Sequence, residues 1–313
     1  MKIIFMGTPD FAAWALRELI KAGHEILLVV TQPDKAKGRS GQLQPTPVKE
    51  VALEAGIPVF QPVKIKTPEA VAELKKYNPD VYVVAAFGQI LSQEILDIPP
   101  YGCLNIHASI LPKYRGAAPI QYAILKGETK TGVTVQQMNA GIDTGDILYV
   151  LETEISERET FETLHDKLME LGGRCIVEML PLLEQGKITP VPQNDEESCY
   201  AKLIHKEEGQ IDFAGSAVTI DRLVRGLNPW PSAYTHMNGK QLKVWDVRIG
   251  EDSGNASGAK CGEVISVSKD NFEVQTADGT IKIYELQLEG KKRMPASAFL
   301  LGVKVEKGMM LGE

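Results

Sequence analysis

The chain has 313 residues, enough for two domains and a sizeable core, and its 43% hydrophobic and 24% charged content is ordinary for a globular protein. The net charge of −7 argues against a nonspecific nucleic-acid coat, although a local basic patch is compatible with it. No apolar run reaches the roughly 18 residues that a membrane-spanning helix needs, and the four cysteines are too widely spaced for a zinc site or a disulfide framework. We therefore expect a cytoplasmic protein that holds no metal and binds no membrane.

The first half of the chain alternates short apolar runs with amphipathic stretches. The runs KIIFMG, EILLVVT and PDVYVVAAFG are typical of buried strands, and PDFAAWALRELIKAG has apolar residues at helical spacing. This order predicts an α/β fold with a mostly parallel sheet and helices on both faces. The turn MGTPDF lacks the G-x-G-x-x-G pattern, which argues against a nicotinamide dinucleotide site. Ligands of such sheets bind outside the carboxyl ends of the strands.

The second half of the chain has a different texture. Residues 160–186 form one long helical pattern, and a polar, irregular stretch follows it. Beyond about residue 210, short alternating strands are separated by N-G and D-G turns, as in a small β-barrel or sandwich. The sequence therefore predicts a catalytic domain over residues 1–189, a linker over residues 190–207 and a small C-terminal β-barrel over residues 208–313.

Asn105 and His107 lie two residues apart in a predicted strand over residues 103–107. The period of two places both side chains on one face of the sheet. An asparagine amide is a neutral donor suited to a developing oxyanion, and a histidine can accept and release a proton near neutral pH. A hydrogen-bonded histidine at the end of a strand would show the same pattern, so the pair by itself is only a candidate site.

The segment N139-A-G-I-D-T-G-D146 follows the strand-like GVTVQQM and places acids between glycines. Asp143 is a candidate partner for the other ring nitrogen of His107, where it would fix the tautomer and stabilise the cation, and Asp146 is the alternative. An ordinary turn would have the same composition. The candidate residues include no Ser or Cys nucleophile in a recognisable motif and no cluster of metal ligands. The remaining chemistry is proton transfer and oxyanion stabilisation at an acyl carbon that an external nucleophile attacks.

Two segments are locally basic. The loop over residues 31–49 has glycines between its cations, and a short basic run lies in the β-rich half. Their basic residues are Lys35, Lys37, Arg39 and Lys49 in the loop, and Lys291, Lys292 and Arg293 in the run. Both segments suit contact with a phosphate backbone, and solvated surface turns would have the same composition.

Longer strings extend these motifs in order along nearly the whole chain. They include FMGTPDFA, VVTQPDK, VVAAFGQILS, LNIHASILPKYRGAAPIQ, TGVTVQQM and GIDTGDIL, and later GLNPWPSAYT and LEGKKRMPASAFLLG. In these strings the chain closely resembles the folate-dependent formyltransferases, and among them the branch that acts on methionine attached to tRNA.

The resemblance implies that the α/β domain has a doubly wound, Rossmann-like, mostly parallel sheet, and it implies an activity and a set of roles. It implies transfer of a formyl group from 10-formyltetrahydrofolate, as cosubstrate, to the α-amino group of methionyl initiator tRNA. The matching catalytic positions are Asn105, His107 and Asp143. Positions matching the folate site are Ser109, Ile110, Leu111 and Pro112, together with Gln89, Ile90, Leu91 and Gly141. The basic loop matches the insertion that meets the tRNA acceptor end, with Arg39 as its key arginine, and the C-terminal domain resembles an oligonucleotide-binding barrel. Residues 113–116 receive no role.

Three alternatives remain open at this point. The chain could formylate a small amine such as a nucleotide sugar or glycinamide ribonucleotide, or it could hydrolyse formyl-folate and release formate. It could also be a catalytically silent RNA-binding protein whose barrel is the active part. The basic loop and the C-terminal strings favour tRNA as the acceptor, and we expect the protein to act as a monomer.

Overall fold

The structure is a computed structural model and describes residues 1–36, 41–250 and 258–312. Lys37 and Arg39, which the sequence assigns to tRNA contact, lie outside these ranges. The chain forms two compact units. The first comprises Met1–Pro119, Lys130–Glu154 and His165–Ala201, and the second comprises Ile120–Thr129, Ile155–Leu164 and Lys202–Glu313.

Strands and helices alternate in the first half of the chain, and strands predominate near its end. The strands are β1 (Lys2–Gly7), β2 (Glu25–Val30), β3 (Lys35–Ala36), β4 (Leu43–Gln44), β5 (Val59–Phe60), β6 (Val81–Ala85), β7 (Cys103–His107), β8 (Arg115–Gly116), β9 (Lys130–Gln137), β10 (Ile147–Glu154), β11 (Tyr200–Ala201), β12 (Ala233–Met237), β13 (Lys240–Ile249), β14 (Val264–Val267), β15 (Phe272–Gln275), β16 (Thr280–Leu288) and β17 (Met294–Pro295). The helices are α1 (Asp10–Lys21), α2 (Pro47–Glu54), α3 (Pro68–Leu74), α4 (Gln93–Leu96), α5 (Pro119–Leu125), α6 (Phe161–Glu184), α7 (Ala217–Gly226) and α8 (Ala296–Gly302).

The main sheet of the first unit has the strand order β10-β9-β7-β6-β1-β2-β5. Strands β5, β2, β1, β6 and β7 run parallel, and β9 and β10 continue the sheet in antiparallel fashion. The chain builds outward from β1 in one direction through β2 and β5, and then in the other through β6 and β7. Such a reversal of strand order opens a crevice at the carboxyl ends of the strands, where this class of sheet binds ligands.

Strand β1 lies at the centre of the core. Ile3, Ile4, Phe5 and Met6 are all completely buried. Consecutive residues of a strand point to opposite faces, so burial of all four means that both faces of the sheet are covered. The unbroken apolar run at the start of the sequence therefore reflects a two-sided environment rather than a solvent-exposed sheet.

Gly7 ends β1 and permits helix α1 to begin close to the sheet. A Cβ atom at this position would lie 2.6 Å from the Cβ of Ala12 and 2.9 Å from the backbone oxygen of Ala85. Both distances are shorter than a carbon atom tolerates, so the close approach of α1 to the strand ends requires glycine. The short MGTPDF turn is therefore a packing feature of the first strand and helix.

Helices α2 and α3 begin with the same sequence device. Thr46 accepts a hydrogen bond from the backbone of Lys49 at 3.1 Å, and Thr67 accepts one from Ala70 at 3.3 Å. A proline follows each threonine at the first helical position. Threonine at the N-cap satisfies an otherwise unpaired backbone donor, and proline there has no N–H to leave unpaired. The Thr-Pro pairs thus fix where both helices start.

The second unit is built on an antiparallel sheet with the order β12-β13-β16-β15-β14, and β17 pairs with β16. The hairpin between β12 and β13 turns at Asn238 and Gly239, with φ angles of 51° and 71°. Two positive φ angles match the tight turn that N-G pairs favour between twisted strands. The inward side chains, among them Phe272 and Ile283, form a separate apolar core for this unit.

The fold prediction is confirmed, since a mostly parallel α/β sheet is followed by an antiparallel β domain. Two features of the structure go beyond the predicted fold. Strand β10 pairs antiparallel with β9 at the edge of the main sheet. Residues 190–201, which lie in the predicted linker, belong to the first compact unit and include β11, which pairs in parallel with β8. Sequence reasoning saw only polar, irregular residues there, because the partner strand is distant in sequence.

Candidate active site

Strand β7 presents Asn105 and His107 on one face of the sheet, beside strand β9. In the antiparallel register of these strands, Asn105 lies opposite Gln136 and His107 lies opposite Thr134. Directly opposed residues share a face, so four polar side chains meet at one place. His107 is 6% exposed, and Thr134 and Gln136 are buried as well. Polar groups buried to this degree need hydrogen-bond partners, and the loops that follow the strands supply them.

Asp143 reaches this polar face from the loop between β9 and β10. Its Oδ1 accepts hydrogen bonds from the amide nitrogens of Asn105 at 3.2 Å and Gln136 at 2.8 Å. Its Oδ2 accepts one from the backbone N–H of Gly116 at 2.8 Å. Asp146, the alternative partner, contributes its backbone oxygen to the N–H of Gln137 at 2.9 Å. The structure therefore brings Asp143 to the predicted pair.

The two ring nitrogens of His107 face two different acceptors. The Nε2 atom lies 2.9 Å from the backbone oxygen of Tyr114, and the Nδ1 atom lies 3.6 Å from Oδ2 of Asp143. A carbonyl oxygen can only accept, so Nε2 carries a hydrogen in this arrangement. From the sequence we expect one ring nitrogen of His107 to face Asp143 and the other to be available for the reaction. In the structure Tyr114, whose φ is 60°, directs its carbonyl to that other nitrogen.

The backbone of the Asp143 loop has a conformation and close contacts that few residue types tolerate. Asp143 itself has a φ of 53°, in the left-handed region that aspartate tolerates better than most residues. A Cβ atom at Gly145 would lie 1.6 Å from the backbone oxygen of Gln137. The Oδ1 atom of Asn139 accepts from the backbone of Gly141 at 3.0 Å and from the hydroxyl of Thr144 at 2.7 Å. These contacts explain why the loop is rich in Gly, Asn and Asp.

Residues 109–112, predicted to contact folate, are tied to strand β9. The hydroxyl of Thr134 donates to the backbone oxygen of Ser109 at 2.7 Å and accepts from the backbone of Leu111 at 3.1 Å. The Ser109 hydroxyl donates to the backbone oxygen of Lys113 at 2.6 Å, and Ser109 is fully buried. The hydroxyl is thus engaged within the loop, whose Leu111–Pro112 peptide bond is cis.

The other residues assigned to folate lie on two further loops. After β6, Gln89 accepts from the backbone of Ile65 at 2.7 Å and donates to the oxygen of Pro62 at 3.1 Å. Ile90 beside it is 62% exposed, whereas Leu91 is only 5% exposed. Gln89 and Leu91 therefore anchor this loop, and Ile90 is the side chain that it offers to solvent. In the Asp143 loop, Ile142 is likewise 58% exposed, next to Gly141.

The basic loop is fastened at its base by an ion pair. The Nζ atom of Lys49 lies 2.6 Å from Oδ2 of Asp34, and the amide of Gln61 donates to Oδ1 of Asp34 at 2.7 Å. The hydrogen bond from Lys49 is the main cause that lowers the pKa of the Asp34 carboxyl below its usual value. Lys35 is exposed in the short strand β3. Lys49 is thus engaged within the protein, whereas Lys35 is exposed to solvent.

The second basic run, residues 291–293, also contains both exposed cations and one that is engaged within the protein. Lys291 and Lys292 are exposed in a turn. The guanidinium of Arg293 donates to both carboxylate oxygens of Glu285, at 2.8 and 2.6 Å, and lies 4.5 Å from the ring centre of Trp245. The pKa of Arg293 is raised, chiefly by the hydrogen bond to Glu285. The two lysines are accordingly the freer cations.

Sequence reasoning missed four residues of the site: Gln136, Gln193, Tyr114 and Gly116. Period two along GVTVQQM could have placed Gln136 inward, had its pairing with β7 been known. Tyr114 and Gly116 act through backbone atoms, which no side-chain motif reveals. The amide nitrogen of Gln193 lies 2.9 Å from the backbone oxygen of Asp143 and 2.6 Å from that of Gly145.

Both units correspond to known protein families. Residues 1–180 match the formyl transferase family, and residues 203–304 match the formyl transferase C-terminal domain. The chain belongs to the formyl transferase family. The match covers the strand and loops that carry Asn105, His107 and Asp143, and it includes the antiparallel domain as a separate module.

Full-length relatives of this formyl transferase are similar over the whole chain. A methionyl-tRNA formyltransferase of Agathobacter rectalis is 50% identical over 308 residues, 98% of each chain. A methionyl-tRNA formyltransferase of Lachnospira eligens is 48% identical over 315 residues, 100% of each chain. HypX from Aquifex aeolicus, solved in complex with tetrahydrofolic acid, has a similar fold, with a TM-score of 0.64 at 21% identity. The structural match covers 99% of this formyl transferase and 50% of the longer HypX chain.

Proposed function

We propose that this chain transfers the formyl group of 10-formyltetrahydrofolate to the α-amino group of methionyl initiator tRNA, giving N-formylmethionyl-tRNA for translation initiation. The observation that carries the proposal is the similarity, at 48 to 50% identity over both units, to methionyl-tRNA formyltransferases. A likeness confined to the first unit would support formyl transfer without indicating the acceptor. The family match of the C-terminal unit extends the agreement to the part of the chain that we expect to contact tRNA.

The reaction needs little covalent chemistry from the protein. The neutral amine attacks the formyl carbon, the carbonyl electrons move to the oxygen, and the bond from that carbon to the folate nitrogen then breaks. One proton leaves the amine and one is taken up by the leaving nitrogen. An α-amino group with an unperturbed pKa of about 7.7–8.0 is partly neutral at physiological pH, so no strong base is required.

We assign charge stabilisation to the amide of Asn105 and proton transfer to His107. One hydrogen of the Asn105 amide is committed to Asp143, and the amide has a second hydrogen for a developing oxyanion. Asp143 stands beside the Nδ1 atom of His107 and would stabilise the cation that forms when the ring accepts a proton. For Nε2 of His107 to exchange a proton with substrate, its bond to the Tyr114 carbonyl must open.

The chemistry of the surrounding residues fits a folate cosubstrate. Folate would supply the activated formyl group, and its flat pterin needs apolar walls with a few polar backbone partners. The exposed side chains of Ile90 and Ile142 offer such apolar surface. Ser109 to Pro112 are fixed by Thr134, so their backbone can serve as a preformed partner. The folate roles of Gln89, Leu91 and Gly141 belong to the same proposal.

We assign tRNA contact to the cations of the two basic segments, Lys35, Lys37, Arg39 and Lys49 in the loop and Lys291, Lys292 and Arg293 in the turn. Their charges suit phosphate contacts, which position a nucleic acid without reading its bases. The engaged Lys49 and Arg293 would act chiefly by shaping their segments. The oligonucleotide-binding character of the C-terminal unit belongs to this part of the proposal.

We also propose that the protein acts as a monomer in the cytoplasm. In the described ranges, none of the helices has the length and apolar character needed to cross a membrane. Light scattering coupled to size exclusion would test the monomer, and a mass of twice 34.3 kDa would contradict it.

An acceptor competition tests the proposed function. The purified chain is given 10-formyltetrahydrofolate with methionyl initiator tRNA, with a nucleotide amino sugar, and with no acceptor. We expect formyl transfer to the methionyl amine and little formate release. Transfer to the sugar alone would support a small-amine formyltransferase, and dominant formate release would support a hydrolase. tRNA binding without any transfer would support a silent RNA-binding protein.

A further inference from the structure

The segment over residues 191–201 touches both loops that complete the active site. At its start, the backbones of Val191 and Ile147 exchange two hydrogen bonds, of 2.8 and 2.9 Å. At its end, β11 pairs in parallel with β8, and the backbone of Arg115 donates to the oxygen of Cys199 at 2.9 Å. Ile147 follows the Asp143 loop, and β8 lies in the loop that follows β7. The segment is therefore a brace between two stretches of chain that both face His107.

Gln193 is the side chain of this brace that reaches both loops. Its amide nitrogen donates to the backbone oxygens of Asp143 at 2.9 Å and Gly145 at 2.6 Å. Its amide oxygen accepts from the Nε atom of Arg115 at 3.0 Å. A glutamine amide has donors on one side and an acceptor on the other, so it can link a carbonyl-lined loop to an arginine. Neither a carboxylate nor an aliphatic side chain can do both.

Arg115 is unusually well buried for a charged residue. It is 2% exposed, and its Nη2 atom lies 2.8 Å from Oδ1 of Asp195 in the same brace. Burying a guanidinium is costly unless its donors are satisfied, so the Gln193 oxygen and Asp195 hold Arg115 in a defined place. The adjoining peptide presents the N–H of Gly116 to Oδ2 of Asp143. Arg115 therefore connects Gln193 to the peptide whose N–H, that of Gly116, donates to Asp143.

We propose that Gln193, together with Arg115, is a positioning residue for the Asp143 carboxylate. Gln193 fixes the backbone at Asp143 and Gly145, and Arg115 fixes the adjoining peptide of Gly116, whose N–H binds the Asp143 carboxylate. The carboxylate then meets Asn105, Gln136 and Gly116 at hydrogen-bonding distance with Nδ1 of His107 beside it. This inference rests on the proposed function, since it concerns the same reaction centre, and it gives Arg115 and Gly116 a role that the sequence left open.

The substitution Gln193→Glu tests the inference. Glutamate retains an acceptor for Arg115 but has no N–H for the oxygens of Asp143 and Gly145. We expect kcat for formyl transfer to fall about tenfold or more, with KM for tRNA and for formyl-folate changed less than about threefold, because an interaction that orients the reacting groups acts mainly on kcat. Gln185→Glu is the matched control, because Gln185 is exposed at the end of α6 and undergoes the same chemical change.

A double-mutant cycle with Asp143→Asn separates positioning from general damage. If Gln193 acts through Asp143, Gln193→Glu should lower kcat less than about twofold in the Asp143→Asn background, since coupled residues are non-additive. An equal loss in both backgrounds, or a rise in KM with kcat unchanged, would overturn the inference. Gln193→Met removes the same donors without adding charge and should show the same pattern if Gln193→Glu unfolds. An inactive wild-type chain would instead refute the proposed function, whereas an active wild type with unaffected variants would refute only the positioning role.

Discussion

Protein oxygens lie beside both ring nitrogens of the buried His107. Nε2 meets the Tyr114 carbonyl and Nδ1 faces Asp143. This arrangement holds the ring in one orientation before any substrate arrives, which reduces the cost of ordering it during the reaction. In the proposed mechanism, Nε2 can exchange a proton with substrate only when its hydrogen bond to the Tyr114 carbonyl opens.

Replacement of His107 by alanine should abolish most catalysis and leave tRNA binding intact. A positioned proton-transfer group contributes typically about 10²–10⁴-fold to the rate, so we expect kcat to fall by that order. Single-turnover formylation measures the loss, and filter binding of methionyl initiator tRNA provides the control. Full activity of His107→Ala would show that the reaction does not use this imidazole.

Replacement of Gly145 by alanine should destabilise the chain and lower its activity. A Cβ there would overlap the backbone oxygen of Gln137 at 1.6 Å, so the Asp143 loop would have to move. We expect a loss of about 1–3 kcal/mol in the free energy of unfolding, the usual cost of inserting an atom into a packed region, and reduced kcat. Gly302→Ala is the control, because a Cβ there would meet no heavy atom within 4 Å beyond its chain neighbours and the backbone of its own helix α8. Urea unfolding compares the two, and equal stabilities would contradict the close approach.

At the scale of elements, the site depends on pairing between strands that are far apart in sequence. Strand β9 supplies Gln136 and Thr134 to the face of β7, and β11 braces β8 from a distance of more than 80 residues along the chain. In the second unit, Asp221 on α7 joins two arginines. It accepts from Arg158 at 2.7 Å and from Arg225 at 2.8 Å and is 5% exposed.

Asp221→Ala should therefore destabilise the chain markedly. Breaking a buried ion pair by removing one member typically costs about 3–5 kcal/mol. The partial exposure of Arg158 and its second ion pair with Asp246 place this case near the lower figure. Glu152→Ala is the comparison, since its pair with Lys130 is more than half exposed and should contribute less than about 1 kcal/mol. Chemical denaturation followed by circular dichroism measures both changes, and similar values would refute a structural role for Asp221.

At the scale of the whole molecule, the net charge of −7 opposes binding of a polyanion such as tRNA. The overall charge acts at long range and is screened by salt, whereas a few exposed lysines act at contact distance. The ion pairs of Lys49 and Arg293 further reduce the cations free to meet phosphate. A small number of exposed side chains must then carry the salt-dependent part of tRNA binding.

The double substitution Lys291→Ala and Lys292→Ala should weaken tRNA binding uniformly across tRNA sequences. Each lysine that contacts a phosphate contributes about one to the slope of log K against log salt, so we expect the slope to fall by about two with kcat at saturating tRNA unchanged. Lys304→Ala is the control in the same unit, because Lys304 is exposed and paired with Glu306. An unchanged slope would remove this turn from the tRNA surface.

The sequence by itself determined the local features of this protein. Apolar runs and helical spacing of apolar residues predicted strands and helices of the first domain, and period two placed Asn105 and His107 on one face, since these signals depend on residues close in sequence. Its family strings also identified formyl transfer. Only the tertiary structure decided which groups meet: that Asp143 rather than Asp146 faces His107, that Tyr114 holds the other ring nitrogen, and that Gln193 braces the Asp143 loop. These contacts join segments distant along the chain, often through backbone atoms, and no local pattern encodes them.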